Sequence, residues 1–509
     1  MNCQFIFVLL VPLLPLLAAL GIAAHVLSGR AVGDAGEPPT ARLAEGTAWL
    51  TLLLLLGLGV LALREGAPGH FVVGTWFASG AFSFPISFML DGLALGFATL
   101  VALIGAVTLR FARHYLHREA GFHRFFLLML LFLAGMLLIV LAGNVVLTFV
   151  GWELCGVSSW LLIGYAYERP VATGNALYAF LTNRIGDAGF ILGIGLAAWW
   201  LGSFEWSAIA AWPGTTGFDK VQARLLLLGF LLAALAKSAQ VPLAAWLGRA
   251  LEGPTPSSAI FYGAVMVHAG VYLVLRFEPL LQQVPDIMVY LALAGALTAL
   301  YGWLGGLVQS DVKSSLVFAT STQVGLMFLA CGLGWFELAA WHMGLHAAWR
   351  AWQFLLAPSY MHLVDDRAPP PPAWLARRQW LYTAALQRGW LEALTQSALI
   401  RPVRALGHDM RDFDDKVLAN LVGMPERRRA GEADDADAVI RGQGLAGRLL
   451  LWSAGHCQRL ERYLVMQRGE GPALRLLHRA GAYLQVLEAL LEHPRYLILA
   501  ILATFVVIL

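Results

Sequence analysis

Charged residues are scarce in this sequence. They make up 13% of the 509 residues, whereas 59% of the residues are hydrophobic. A soluble protein usually carries about 25% charged residues. A soluble chain of this length would bury a large core and still need a polar surface, which so few charges cannot supply. The composition therefore predicts a protein whose outer surface is covered by lipid.

Cysteines and cofactor motifs are also few. The four cysteines, Cys3, Cys155, Cys331 and Cys457, are far apart and form no Cys-x-x-Cys pair. This spacing excludes a disulfide framework and a run of iron–sulfur ligands. A phosphate-binding loop and a strand-linked Gly-x-Gly-x-x-Gly turn are absent too. We expect no cofactor, no metal site and no catalytic residue, and the net charge of +3 indicates no nucleic-acid partner.

Long apolar runs dominate the chain. A helix that crosses a bilayer needs about 20 apolar residues. The candidate spans are Phe5–Leu27, Thr47–Leu63, Phe88–Phe111, Phe125–Leu141, Val145–Tyr167, Leu177–Leu201, Leu225–Leu247, Ser257–Phe277, Ile287–Val308, Ser314–Leu333, Leu338–Leu363 and Tyr496–Leu509. The first run lacks the positive flank of a signal peptide and is too long for one, so we expect it to remain as a helix. The sequence predicts an all-α membrane protein, a polytopic bundle of about 12 transmembrane helices.

The composition changes after Leu363. Asp365–Pro372 is charged and rich in proline, and Trp374–Val422 interleaves arginines with tryptophans and leucines. This second pattern is typical of amphipathic helices on a membrane surface, and a solvated cytoplasmic subdomain fits it equally well. We predict a transmembrane bundle in residues 1–364, amphipathic helices and loops in 365–495, and a final span in 496–509.

Several charges lie inside the predicted spans. Glu153 is in the fifth run and Lys237 in the seventh, while Arg184 and Asp187 are three residues apart in the sixth. An ionisable group in a bilayer costs about 3 kcal/mol or more, and such groups usually face the bundle interior and serve function. A buried ion pair that only clamps two helices is the structural alternative. The number of charges favours function.

Histidines add to this polar set. His268 is in the middle of the eighth run, and His342, His346 and Arg350 recur every four residues in the eleventh. Residues four apart lie on one helix face, about 6 Å from one another along the axis. A lone histidine is more often a hydrogen-bonded core residue than a proton carrier. Three ionisable groups on one face favour a hydrated polar axis.

Prolines interrupt the centre of the bundle. Pro242 follows Lys237 by five residues within an apolar run, and Pro254 and Pro256 open the next one. A proline in a helix frees backbone carbonyls that only protein or water can satisfy inside a membrane. Broken helices at membrane depth mark ion pathways in transporters. The break and the buried lysine coincide, which predicts an ion path at this position.

These segments resemble a known family. The relevant stretches are RFFLLMLLFLAGMLLIVLAGNVVLTFVGWELCGVSSWLLIGY, AFLTNRIGDAGFILGIG, KSAQVPLAAWLGRALEGPTPSSA and SDVKSSLVFATSTQVGLM. They are similar to the L subunit of respiratory complex I and to its relatives, the Mrp-type sodium/proton antiporters and the inorganic-carbon uptake subunit DabB. The resemblance covers about Asp91–Leu363.

The resemblance implies a proton path that contains an acid–lysine switch. Glu153 would pair with the central Lys237, and Arg184 with Asp187 would lie beside them. Moving the carboxylate away would favour release of the proton from the desolvated lysine, and restoring the pair would favour reloading.

Three departures from the family pattern affect this expectation. Tyr262 occupies a position where the family usually has histidine, and His268, six residues on, is expected to point elsewhere. Arg350 occupies the place of a lysine and cannot release its proton. The family's distal helices are not recognisable after Leu363.

The last departure favours DabB within the family. The main prediction is a proton- or cation-conducting subunit of the bacterial inner membrane that works with a DabA-like peripheral zinc protein. One alternative is an antiporter-like L subunit of a complex I-type NADH-quinone oxidoreductase or of a related membrane hydrogenase. The other is a structural membrane scaffold with an inactive channel.

Overall fold

The structure is a computed structural model that describes residues 3–29, 33–79, 82–363, 370–413, 452–453 and 455–456. The predicted last span, Tyr496–Leu509, lies outside the described residues. The chain divides into two compact units, residues 1–402 and residues 403–509. The second unit contributes most of helix α19 (Arg401–Phe413), whose Val403, Leu406 and Met410 are exposed.

The first unit is mainly helical. Its α-helices are α1 (Cys3–Leu27), α2 (Gly33–Glu65), α3 (Gly92–Tyr115), α4 (Phe122–Leu141), α5 (Val145–Ile163), α6 (Pro170–Leu201), α7 (Trp206–Ala211), α8 (Lys220–Lys237), α9 (Trp246–Arg249), α10 (Thr255–Ser258), α11 (Ala269–Arg276), α12 (Glu278–Leu281), α13 (Pro285–Gly306), α14 (Val312–Gly332), α15 (Phe336–Leu363), α16 (Ala373–Ala376), α17 (Gln379–Leu386) and α18 (Leu391–Thr395). Short 3-10 or π turns occupy Trp212–Gly214, Ala250–Glu252, Ala259–Ala264, Arg388–Trp390 and Gln396–Ile400.

Eight of the described helices are long and apolar enough to cross a membrane, namely α1 to α6, α13 and α14. This agrees with a multi-pass membrane protein. The predicted count of about 12 spans is not confirmed. The twelfth predicted run lies outside the described residues, the eleventh corresponds to α15, which is not among the eight, and the seventh and eighth are each interrupted. The run Leu225–Leu247 stops being helical after Lys237, and Ser257–Phe277 is divided between α10, a π turn and α11.

A β-hairpin corrects the all-α prediction. Strand β1 (Gly69–Ser79) pairs antiparallel with β2 (Phe82–Leu90). The predicted third span therefore begins too early, since its first residues belong to β2. The signal in the sequence is the concentration of aromatic residues in both strands, together with Val72 and Val73 in β1, which favours extended structure.

Asp91 marks the point where β2 gives way to α3. Its Oδ1 accepts a hydrogen bond from the backbone N–H of Ala94 at 2.8 Å, which caps the helix. Arg276, the last residue of α11, binds both carboxylate oxygens of Asp91. Burial alone would raise the pKa of Asp91, but the hydrogen bonds and charge of Arg276 bring it below its usual value. This pair fastens the hairpin side of α3 to the end of the second interrupted helix.

A polar cluster joins the hairpin to the loops beside it. Asn144 caps α5 and donates hydrogen bonds to Pro85 O at 2.9 Å and to Ser87 Oγ at 2.7 Å. Ser87 donates in turn to Glu205 at 2.8 Å, and Glu205 lies 2.5 Å from His70 Nε2. The hairpin is therefore held against the α4–α5 and α6–α7 connections.

Residues 373–400 pack against the helical bundle. The Trp374 ring stacks on Trp303, with ring centroids 5.7 Å apart, and Leu375 and Ile400 are fully buried. Arg249 of α9 forms an ion pair with Glu392 of α18. This part of the predicted amphipathic region is therefore a covering layer of the first unit.

Helices α6 and α8 approach each other closely at a pair of glycines. A Cβ atom on Gly189 would lie 2.6 Å from the carbonyl oxygen of Gly229, and one on Gly229 would lie 2.8 Å from that of Gly189. Small residues permit such close helix contacts in membrane proteins. The contact sets the distance between the helices that carry Asp187 and Lys237.

The substitution Gly189→Ala should destabilise the protein. Its methyl group would meet backbone, which cannot rotate away, and overpacking of this kind costs about 1–3 kcal/mol. Gly195→Ala on the same helix is a matched control, because a Cβ there has no neighbour within 4 Å. Thermal unfolding in detergent should show a lower midpoint for Gly189→Ala and an unchanged or slightly higher one for Gly195→Ala. Equal midpoints for the two variants would contradict the proposed contact.

Candidate ion path

The first helix break begins at Lys237 itself. Helix α8 ends there, Ala239 has a left-handed backbone with φ of 50°, and Pro242 follows. The backbone groups released by the break have partners within the protein. Trp246 Nε1 donates to Ala236 O at 2.9 Å, and the hydroxyl of Thr298 accepts from the N–H of Val241 at 2.9 Å. Because these backbone groups are hydrogen-bonded, the break can lie within the membrane, where unsatisfied backbone groups are costly.

The second break places His268 differently from the sequence prediction. His268 was predicted in the middle of a helix, but it precedes the first residue of α11. Pro254 precedes α10, and Pro256 lies in its first turn. Ser238, next to the first break, donates to Val267 O at 2.7 Å beside the second. The two breaks therefore meet in the interior of the bundle.

Three charged side chains from α5 and α6 form one cluster. Arg184 Nη1 lies 2.5 Å from Glu153 Oε2, and Arg184 Nη2 lies 2.8 Å from Asp187 Oδ2. Trp152 Nε1 donates a hydrogen bond to Asp187 Oδ1 at 2.8 Å. The resemblance implied a pairing of Glu153 with Lys237, whereas in the structure Arg184 is the ion-pair partner of Glu153. A forked guanidinium can bind two carboxylates at once, which a single ammonium group does less well.

Lys237 lies next to this cluster and is only 1% exposed. Its Nζ donates a hydrogen bond to Trp152 O at 3.1 Å and lies 4.8 Å from the centre of the Trp152 ring. No carboxylate of a described residue is within 4.0 Å of Nζ. Lys237 is therefore held by a carbonyl dipole and an aromatic face, close to charges that it does not touch.

A row of histidines begins at the second break. His268 Nε2 lies 2.9 Å from His346 Nδ1. Arg350 Nε donates to His346 Nε2 at 3.4 Å, and His342 Nε2 lies 2.8 Å from Gln323 Oε1. His268 is fully buried, and His346 and Arg350 are each 6% exposed. The three predicted residues of α15 do share a face, and His268 joins them from the turn before α11.

The contacts determine which nitrogen of His346 carries the proton. Because Arg350 is only a donor, His346 Nε2 must accept, so the neutral ring carries its proton on Nδ1. That proton is directed at His268 Nε2. Arg350, His346 and His268 thus form a directed hydrogen-bonded chain from α15 to the turn before α11.

Tyr262 lies apart from the histidine row. Its hydroxyl donates to Leu247 O at 2.7 Å, and its ring stacks on Phe354 with centroids 5.1 Å apart. Both contacts are those of a core residue.

Sequence reasoning did not identify Trp152, Ser238 or Gln323. The only signal for Gln323 was an amide within an apolar run. Among the described residues, no group of three His, Cys, Asp or Glu side chains could hold a metal ion.

The fold and the site define a multi-pass membrane protein with two interrupted helices and a polar path inside the bundle. Residues 142–367 match the family described as NADH:quinone oxidoreductase/Mrp antiporter, transmembrane. Residues 76–126 match the N-terminus of chain 5 of the complex I NADH-ubiquinone oxidoreductase. These matches support the family of antiporter-like membrane subunits that includes the complex I L subunit and Mrp proteins.

Individual relatives agree with this assignment. The chain is 35% identical over 364 residues to the chloroplast NAD(P)H-quinone oxidoreductase subunit 5 of Nephroselmis olivacea, covering 70% of this chain and 55% of that protein. It is 37% identical over 323 residues to the NADH-quinone oxidoreductase subunit L of Mycobacterium tuberculosis, covering 62% of this chain and 51% of that protein. The chain spans about half the length of these curated relatives.

Two solved structures are similar as well. An Mrp complex from a Dietzia species gives a TM-score of 0.59 at 30% identity, covering 70% of this chain and 38% of that one. An archaeal membrane-bound sulfane sulfur reductase gives a TM-score of 0.59 at 20% identity, covering 68% of this chain and 70% of that one, which shows a shared fold.

A double-mutant cycle should identify Arg184 as the direct partner of Glu153. Removing one member of this partly buried pair leaves an uncompensated charge. In unfolding free energies, Glu153→Gln and Arg184→Gln should therefore be non-additive, with a coupling energy of up to about 3 kcal/mol. The cycle of Glu153→Gln with Lys237→Gln should give a smaller coupling energy. A larger coupling energy for Glu153 with Lys237 than for Glu153 with Arg184 would support the pairing inferred from the resemblance.

Proposed function

We propose that this protein is a proton-conducting membrane subunit of a larger complex. The observation that carries the proposal is the position of Lys237, which is fully buried at the end of an interrupted helix, next to the charged cluster of Glu153, Arg184 and Asp187. The residue after it, Ser238, is hydrogen-bonded to Val267, which precedes His268 of the histidine row. Burying an ammonium group is costly, and intramembrane ionisable residues usually serve a pathway. A lysine that only clamped helices would be expected to contact a carboxylate directly.

The proposed switch is the Arg184 guanidinium. Glu153 and Asp187 hold it in the observed arrangement. Movement of Arg184 towards Lys237 would bring two like charges together and favour loss of the lysine proton. Its return to the carboxylates would favour reloading. Arg184 is 32% exposed at its side chain, so it has more room to move than the buried lysine.

The proposed continuation of the path is the histidine row. His346 and His268 form a hydrogen-bonded pair in which one ring donates to the other. Histidine is the side chain best suited to change charge near neutral pH. Arg350 is permanently charged and sets the local potential without itself releasing a proton. The pair thereby supplies two titratable groups to the proposed path.

The partner and the location are parts of the same proposal. The relatives bear the names of quinone oxidoreductase subunits and of an Mrp complex, and they support a complex I-type or Mrp-type assembly in a bacterial inner membrane. They support this alternative better than a DabA-like zinc protein. Mass spectrometry of the complex purified from native membranes distinguishes the two, because redox or antiporter subunits would accompany the protein in one case and a DabA-like protein in the other.

Removal of Lys237 should abolish proton conduction. The purified full-length protein, with the subunits that accompany it, is placed in vesicles that contain a pH-sensitive dye, and a potassium diffusion potential is applied. Wild-type protein should acidify or alkalinise the interior according to the sign of the potential, and Lys237→Ala should reduce the signal to that of empty vesicles. Lys220→Ala is the matched control, since it removes an exposed lysine from the same helix.

Conduction by Lys237→Ala at the wild-type rate would refute the proposed role of Lys237. Absence of conduction by the wild-type assembly would favour the remaining alternative, a structural scaffold with an inactive channel.

The variant His346→Gln should conduct little better than His346→Ala. Glutamine can hydrogen-bond to His268 but cannot take up a proton at neutral pH. His114→Gln, an exposed change at the end of α3, serves as the control. Conduction is measured from pH 5 to pH 9. Full conduction with an unaltered pH profile in His346→Gln would show that His346 only forms structural hydrogen bonds.

A further inference from the structure

Gly156 lies one turn after Glu153 on α5 and faces the charged ends of Arg184 and Lys237. A Cβ atom at this position would lie 3.1 Å from Arg184 Nη2 and 3.6 Å from Lys237 Nζ. The first distance is shorter than an ordinary van der Waals contact, so the guanidinium would have to shift. The missing side chain therefore defines the space that the two cations share.

The neighbours of Gly156 differ from those of the other glycine on α5. A Cβ on Gly151 would meet Gly135 O at 2.6 Å and Ile139 N at 2.8 Å, which are backbone atoms of α4. Gly151 therefore permits helix packing. The two neighbours within 4 Å of a Cβ on Gly156 are the charged ends of Arg184 and Lys237. The absence of a side chain at Gly156 therefore leaves space for these two charged groups.

A small cavity adjoins the same position. Its volume is about 10 Å³, and its lining includes Gly156, Ser159, Asn183, Arg184 and Trp246. One water molecule needs roughly this volume and two or more polar partners. Asn183 Oδ1 and Arg184 Nε are buried without a hydrogen-bond partner. The cavity thus combines room for one water with polar groups that could bind it.

We propose that Gly156 is a positioning residue of the ion path. It keeps open the space in which Arg184 moves towards Lys237 and in which one water molecule reaches Arg184 and Asn183. This inference rests on the proposed proton conduction for its effect on rate, whereas the contact between residue 156 and Arg184 can be measured independently of conduction. An added methyl group would hold the guanidinium away from the lysine and narrow the cavity.

Conduction by Gly156→Ala should fall by roughly tenfold or more, since a displacement of about 1 Å in a positioned site can reduce rates by about 100-fold. Gly174→Ala is the control, because a Cβ there has no neighbour within 4 Å. Arg184→Lys alone should lower conduction. Added to Gly156→Ala it should raise conduction, because lysine lacks the Nη2 atom that the methyl group meets.

Unfolding free energies of the same four proteins provide the second measurement. Gly156→Ala and Arg184→Lys should be non-additive, with the double variant more stable than the sum predicts. The positioning role would be overturned if Gly156→Ala conducted at the wild-type rate. It would also be overturned if the double variant with Arg184→Lys conducted less than Gly156→Ala alone. If the wild-type protein does not conduct but the stability cycle is non-additive, the proposed function fails and the steric control of Arg184 by residue 156 stands. Additive stabilities would refute that control.

Discussion

The structure depends on one constraint, which is that a charge inside the bilayer needs partners supplied by the protein. Lys237 meets this constraint through the carbonyl and ring of Trp152, and Arg184 meets it through two carboxylates. The same requirement applies to the backbone groups released where α8 ends, which are bound by side chains of neighbouring segments. The glycine contact between α6 and α8 brings these elements close enough for the partners to meet.

The polar groups of the bundle are carried by two kinds of helix. The acidic cluster is carried by continuous helices, α5 and α6, and Lys237 and His268 are carried by the ends of interrupted ones. Interrupted helices can change the orientation of their ends without moving a whole span. Lys237 and His268, which we propose gain and lose protons, are therefore placed where the backbone departs from helical geometry. Ser238 links the two interruptions through a hydrogen bond to Val267.

The sequence was sufficient to predict the membrane class, the family and the charged positions, because a charge or proline within an apolar run can be recognised from the sequence itself. It was not sufficient to predict which side chains form ion pairs and hydrogen bonds with one another. Helical periodicity shows which face His342 and His346 share, but not that His268 approaches that face from another helix. The preference of Glu153 for Arg184 over Lys237 depends on how α5, α6 and α8 cross. The hairpin was missed because its valines and aromatic residues also suit an apolar helix.

We propose that the charges inside the bundle form a path for protons, and the reversal potential of the purified assembly tests this in a planar bilayer with different pH on the two sides. We expect a current whose reversal potential follows the Nernst potential of protons and is unchanged when sodium replaces potassium. A reversal potential that is indifferent to pH, or that follows the sodium gradient, would contradict it.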